Sequence, residues 1–480
     1  MLAFGATFFI PVVLARVFSI EEFGTYKQVF IFYDTLYYIA QVGLATSLFY
    51  FLPRAPENAA RYIANTTLVI GAVAAACVIA ITTRGELVEW LFSNRRLGPL
   101  VVPGAFYFLF LMAAVPLEII MICRQRYRLA SATYAGSDMV RALALILPTI
   151  ATGDLRWVIV GAFAFAATRF GATLLYVRGI YGAELRPDGP LLREQLRYSL
   201  PFGLAVLVAT LQANFHHLVV SHSFDAATFA IFAVGCLQIP LIDFIATPMA
   251  DVMMVKMTEA RRVGDLARAK AIWHQAMSDL ALLLVPLVGL LLVIADDFIL
   301  LLYTESYAAS APIFRVFVLS ILFAPLLVES VLRVHADTRH ILLLNALQLT
   351  IVAAFIWPLL DRFGLVGGVL VTLTGIVAVR SLGLLRVKRL LGSPTHDLLP
   401  WSRLLRIAAI AALATAASLG LRSVIDAPPL LALAATGSIH VVVWAALGIR
   451  WGFLPIPSPL SIRSWLRRMG LPSLGSQRVD

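Results

Sequence analysis

The run LALLLVPLVGLLLVIA, from Leu280 to Ala295, carries no charged residue and ends against the pair Asp296 and Asp297. A helix needs ~20 consecutive apolar residues to cross a hydrocarbon core about 30 Å thick, so this run and its flanks read as a membrane span over 279–296. It is one of many. Of 480 residues, 60% are hydrophobic and 14% charged, and the mean hydropathy is +0.88. Soluble domains carry about 45–50% apolar and about 25% charged residues. Backbone polar groups in lipid must be satisfied within each span, and the alternating pattern of barrel strands is absent, so an all-helical polytopic membrane protein is expected.

Working outward from that run gives about fourteen candidate spans: 1–16, 28–52, 63–82, 100–122, 131–152, 156–177, 198–221, 228–254, 279–296, 312–334, 340–360, 364–386, 403–422 and 428–449. The expected organisation is an N-lobe over 1–197, a C-lobe over 198–390, two further spans over 391–449, and a basic tail over 450–480. The chain opens in an apolar run, Leu2 to Leu14, with no basic residue before it. That is not a signal peptide. Its shortness as a span leads us to expect a start further upstream.

The net charge of +11 arises from 38 Lys and Arg against 27 Asp and Glu. Twenty-six of the 38 fall in the loops after the even-numbered spans and in the tail, eight in the opposite loops, and four inside spans. By the positive-inside rule both termini are expected in the cytoplasm. Scattered between spans rather than gathered on one module, these cations do not describe a nucleic-acid surface. Cys77, Cys123 and Cys236 sit in or beside apolar segments without metal spacing, and read as packing residues. Two stretches, Leu266–Met277 and Ser461–Met469, set apolar and basic sides apart at helical spacing. Each reads as a helix lying on the membrane surface or as a cytoplasmic brace between spans.

A weak repeat supports two related halves. Phe18, Phe23 and Tyr26 match Phe224, Phe229 and Phe232 at an offset of 206. Each copy carries a helix-start signal: Ser19-x-x-Glu22 has the capping-box spacing, and Asp225 caps the second. Six spans separate the copies, so the halves should share orientation, as in transporters that work by alternating access.

The stretch Phe18-Ser-Ile-Glu-Glu-Phe-Gly-Thr-Tyr26, following Leu14-Ala-Arg16, resembles the opening of the polysaccharide, O-antigen and teichoic-acid flippases. These belong to the multidrug/oligosaccharidyl-lipid/polysaccharide exporter superfamily. Phe51-Leu-Pro-Arg54, Ser199-Leu-Pro-Phe-Gly203, Arg339-x5-Asn345 and Phe363-Gly-Leu-Val-Gly-Gly368 follow in the order and spacing of that family. The resemblance implies two six-helix lobes, a central cavity and two added C-terminal helices. The implied cargo is an isoprenoid-diphosphate-linked glycan moved to the outer leaflet of the bacterial cytoplasmic membrane, with membrane lipids and glycan-assembly enzymes as partners and no nucleic acid. This chain departs from the family near the end of span 7, where His216-His217 stands in place of an acid found in many relatives.

A diphosphate calls for arginine, whose fork matches phosphate oxygens, and a charge inside a span is costly enough to be a functional candidate by default. Arg141, Arg169, Arg315 and Arg380 are therefore the substrate-binding candidates, with Asn214, His216 and His217 of the polar span 7. Arg141 has an alternative partner in Asp138, one helical turn away, and the other three can snorkel to an interface. Asp34, Asp243, Asp251 and Glu329 are candidates for ion coupling, with H+ or Na+ as the ion, or for neutralising an arginine. Gln41, Asn345, Gln348 and His440 read as hydrogen-bond partners between helices. No catalytic or metal constellation and no P-loop is present, so an enzyme is not expected. The main alternative is a cation-coupled drug antiporter of the same superfamily, against which the four intramembrane arginines count. Membrane-embedded glycan polymerases and glycosyltransferases are a weaker alternative, because they need a sizeable outer loop.

Overall fold

The computed structural model describes residues 2–425 and 427–454, which are helical throughout apart from turns and short connections. Ser461–Met469, expected as an amphipathic helix, lies outside the described residues. Among the described residues, eleven helical segments are long and apolar enough to cross a membrane, or twelve if Ala226–Gly235 and Pro240–Arg262 form one broken span. The sequence suggested fourteen, and the polytopic class holds without that number being reached. Leu2–Val17, at 16 residues, is short of a full span, and Tyr127–Thr152 is diluted by Asp138 and Arg141. The helices gather into two compact units, Met1–Ala233 and Val234–Asp480.

In the first unit the repeat motif does structural work. Ser19 caps the helix Ile20–Ala40, accepting from the Glu22 backbone N–H at 3.3 Å while its own N–H donates to the Glu22 carboxylate at 3.0 Å. The second copy is capped by Asp225, which accepts from the Thr228 N–H at 2.7 Å. The two starts touch: a Cβ added at Gly24 would overlap the carbonyl oxygen of Ala226. Span 2 is broken between Ile20–Ala40 and Leu44–Arg54, where Gly43 takes a left-handed φ of 71°. A Cβ there would stand 2.9 Å from the Ser199 carbonyl oxygen, and one at Gly203 would stand 2.6 Å from the Val42 backbone. Glycine on both sides lets the break seat against the helix Gly189–Ser223.

That helix starts well before the expected 198. Asp188 caps it by accepting from Leu191 N–H at 3.1 Å, and Pro190 suits its first turn. Asn65 holds Asp188 through two backbone bonds of 2.8 and 3.0 Å, and Arg61 reaches its carboxylate at 3.3 Å. The charged stretch 189–197 is thus a helical extension rather than a loop.

The second unit is built round Leu266–Leu302, a helix of 37 residues against which Pro240–Arg262, Trp401–Arg422 and Pro429–Arg450 pack. Its first turns are the Leu266–Met277 stretch. They form a brace and do not lie free on a surface: Trp273 is fully buried and donates its indole N–H to the Leu326 carbonyl at 2.9 Å. Lys270 pairs with Asp397, and His274 hydrogen-bonds the Leu398 carbonyl at 2.8 Å. Ala269 and Trp273 found protein to pack on, whereas Ile272 and Ala276 are half-buried and Leu266 is exposed. The two C-terminal helices join through Ser418 and His440 at 3.0 Å, as expected of His440. Arg422 grips Asp297 with two bonds of 2.8 and 3.0 Å, fastening Trp401–Arg422 to the long helix. Of the other expected interhelical partners, Gln41 instead donates to the Tyr37 carbonyl of its own helix at 3.1 Å.

Candidate functional site

The first unit concentrates charge among its helices. Helix Ile20–Ala40 carries Lys27 and Asp34 seven residues apart, which is two turns and therefore one face. Asp34 is half-buried and lies within Coulombic reach of both Lys27 and Arg141. Arg141, on Tyr127–Thr152, shares its field with Asp34, Asp138, Tyr107 and Tyr26. No hydrogen bond or ion pair of contact distance holds its guanidinium among the described residues, so the alternative reading, a contact pair with Asp138, does not form. Lys27 lies over the rings of Phe23 and Tyr26, with 5.6 and 6.0 Å to their centroids.

Arg169 is fixed. Its guanidinium donates to the Glu118 carboxylate at 2.6 Å and also to the Ser137 hydroxyl. Glu118 retains 2% exposure, so this ion pair is withdrawn from water and Arg169 is neutralised where it stands. Tyr37 and Tyr134 share the field of this pair. Three cations (Lys27, Arg141, Arg169) thus face three carboxylates (Asp34, Glu118, Asp138) in a formally balanced cluster, within which only Arg169 and Glu118 are locked together.

Asn214 reaches the same helix from Gly189–Ser223, donating at 2.9 Å to the hydroxyl of Thr35, the residue after Asp34. His216 and His217 stand one turn further on, with ring centroids 4.2 Å apart and packed edge-on to Phe232. His216 is buried, and neither of its ring nitrogens has a hydrogen-bond partner among the described residues. His217 shares the field of Lys27. Asp34, Arg141, Arg169, Asn214 and His217 therefore belong to one polar neighbourhood.

The candidates of the second unit are dispersed. Arg315 pairs with Asp296 at the end of the long helix. Arg380 pairs with Glu329 at 3.3 Å, so Glu329 serves as its counter-ion. Asp243 and Asp251 are exposed on Pro240–Arg262. Sequence reasoning missed Lys27, read as a loop residue, because the apolar run begins after it while the helix begins at the Ser19 cap. It also missed Glu118, a lone acid inside the apolar stretch Leu111–Cys123 that was legible as such.

The sequence profile of the family described as polysaccharide biosynthesis protein matches residues 13–312, more than half of the chain. A search of curated proteins by sequence finds no match. Among solved structures, the fold is similar to that of lipid II flippase MurJ in an inward closed conformation. That match has a TM-score of 0.75 at 13% identity and covers 94% of this chain and 99% of that one. It is also similar to an inward-facing multidrug resistance MATE family transporter of the MOP superfamily, with a TM-score of 0.61 at 15% identity over 82% of this chain and 93% of that one. A MOP superfamily transporter from Pyrococcus furiosus matches at a TM-score of 0.56 and 13% identity, over 82% and 93% of the two chains. With its many helices long and apolar enough to cross a membrane and its family profile, the chain is a multi-pass membrane protein, and it belongs to the polysaccharide biosynthesis protein family.

Proposed function

We propose that this protein flips an isoprenoid-diphosphate-linked oligosaccharide or polysaccharide precursor from the inner to the outer leaflet of the bacterial cytoplasmic membrane by alternating access. Residues 1–197 and 198–390 act as the two six-helix lobes, 391–449 as added spans, and both termini are cytoplasmic. The observation that carries this reading is Arg141: a guanidinium held among membrane helices, in the field of Asp34 yet in contact with no carboxylate among the described residues. A permanent charge costs free energy at that depth unless something anionic receives it. The diphosphate does so with geometry that the arginine fork matches. Asp34 then acts as the resident counter-ion of Lys27 and Arg141, displaced when the cargo phosphates arrive. Proton or Na+ binding at Asp34 is the coupling step this arrangement favours. The similar fold of lipid II flippase MurJ supports the same class of cargo.

Deleting the gene should leave undecaprenyl-linked glycan accumulated inside the cell, and the intact gene should relieve it. Arg141→Ala should reach the membrane and fail to relieve it. Full export by that variant removes Arg141 from the site.

A second reading rests on Asp34 itself. A carboxylate bordered by Tyr38 and, through Arg141, by Tyr26 and Tyr107 suits an organic cation, which supports a cation-coupled antiporter. Ethidium efflux that depends on Asp34, with glycan export untouched by its loss, would favour the antiporter.

A further inference from the structure

Away from the charged cluster, the second unit contains a cavity of about 300 Å³ between Pro240–Arg262 and the first turns of Leu266–Leu302. Its floor is apolar, formed by Met249, Val252 and Met253 from one helix and Ile272 and Ala276 from the other. Two exposed cations, Lys256 and Arg268, line the same space, one from each helix. At about 1.5 Å per residue, the 37-residue helix is about 55 Å long, against a hydrocarbon core of about 30 Å. The helix therefore outruns the core, and the basic residues gathered around its first turns, Lys256, Arg262 and Arg268, favour that end, with the cavity, at the level where acyl chains meet headgroups.

We infer that this cavity binds one anionic phospholipid of the surrounding bilayer, its phosphate held by Lys256 and Arg268 and an acyl chain laid along Met249, Val252, Met253 and Ile272. Basic pockets between membrane helices recognise such headgroups, and the volume falls at the lower end of ligand sites. Unbranched methionines adapt to a flexible chain better than branched residues do. The carboxylate lining the cavity and the one at the start of the long helix both have hydrogen-bond partners. Asp279, the one carboxylate lining the cavity, accepts a hydrogen bond from Gln275 at 2.7 Å. Asp265 caps the long helix through Arg268 N–H at 2.8 Å, which leaves the Arg268 guanidinium to the cavity. Arg261 and Arg262 follow at the end of Pro240–Arg262 and add to the attraction for an anionic surface. The site is independent of the cargo proposed for the first unit.

The test uses the full chain in detergent and native mass spectrometry with phosphatidylglycerol and phosphatidylcholine of identical acyl chains. Phosphatidylglycerol should be retained preferentially. Lys256→Gln combined with Arg268→Gln should weaken its binding about 30-fold, to the level of phosphatidylcholine, since each cation near a membrane surface contributes about fivefold. Both positions are exposed, so the variant is expected to fold with an unchanged melting temperature. Ala276→Trp fills the floor and should reduce retention of both lipids. Equal binding of the two lipids by the wild type, or a preference that survives the double substitution, overturns the proposal. So does unchanged retention by Ala276→Trp, and so does undecaprenyl diphosphate excluding phosphatidylglycerol from the cavity, which would make it a cargo site.

Discussion

Arg169 and Glu118 meet at 2.6 Å from two different helices, Leu155–Tyr181 and Pro116–Cys123, with the carboxylate almost wholly withdrawn from solvent. Both are charges at membrane depth, and each makes the other tolerable. Removing one partner of such a pair leaves an uncompensated buried charge, which costs about 3–5 kcal/mol, whereas replacing both by apolar groups is often neutral. Glu118→Ala should therefore lower resistance to denaturation by that amount, and Glu118→Ala with Arg169→Met should recover most of it. Unfolding followed in detergent micelles checks both. Equal stability of wild type and Glu118→Ala would show that the pair contributes nothing to the fold.

Arg141 should behave in the opposite way. Its guanidinium makes no contact pair among the described residues, so Arg141→Ala is expected to leave the protein abundant in the membrane and thermally unchanged within about 1 kcal/mol. Export should fall at least about tenfold, and Arg141→Lys should restore only part of it, because an ammonium keeps the charge but loses the two-pronged geometry. Export assays at matched protein levels separate these outcomes.

Gly24 admits no side chain. A Cβ would overlap the Ala226 carbonyl oxygen where the two repeat motifs touch, and that neighbour is backbone, which cannot rotate away. Gly24→Ala should destabilise by about 1–3 kcal/mol, the usual range for overpacking. Gly71→Ala, at a position with open space, should be neutral or slightly stabilising. A comparison of melting temperatures distinguishes a packing effect from a general intolerance of changed glycines.

Outside the spans, Asp337 joins the turn before Thr338–Phe363 to the end of Leu365–Leu391. Partial burial pushes its carboxyl up, but hydrogen bonds from Arg386 at 2.7 Å and His340 at 2.6 Å outweigh this and hold it below the usual range. A depressed carboxyl stabilises the fold fully above its unfolded value of about 3.9 and loses that contribution as pH falls through the folded value. The gap in melting temperature between wild type and Asp337→Asn should be constant from pH 7 to about 5 and close below about 4. A gap that widens on acidification would reverse the assignment.

Three kinds of feature are legible in the sequence. Apolar runs such as 280–295 dictate helices, because a helix satisfies its own backbone in lipid, and short capping signals at Ser19 and Asp225 mark where two of them start. His440 as an interhelical partner followed from the cost of a lone polar group among apolar neighbours. The ends of helices were less legible. Charged stretches such as 189–197 read as loops, whereas a helix runs through them once Asp188 and Asn65 secure the first turn.

The local sequence of this protein determined its class, its helical content and the set of charges that had to be explained, since hydropathy and capping act within a few residues. Which of those charges are locked in pairs and which remain available was decided only by tertiary structure. Arg141 and Arg169 look alike in sequence, each being an arginine in the interior of a candidate span. Coulomb energy depends on distance in space, and only packing brings Glu118 against Arg169 while leaving Arg141 to share the field of Asp34.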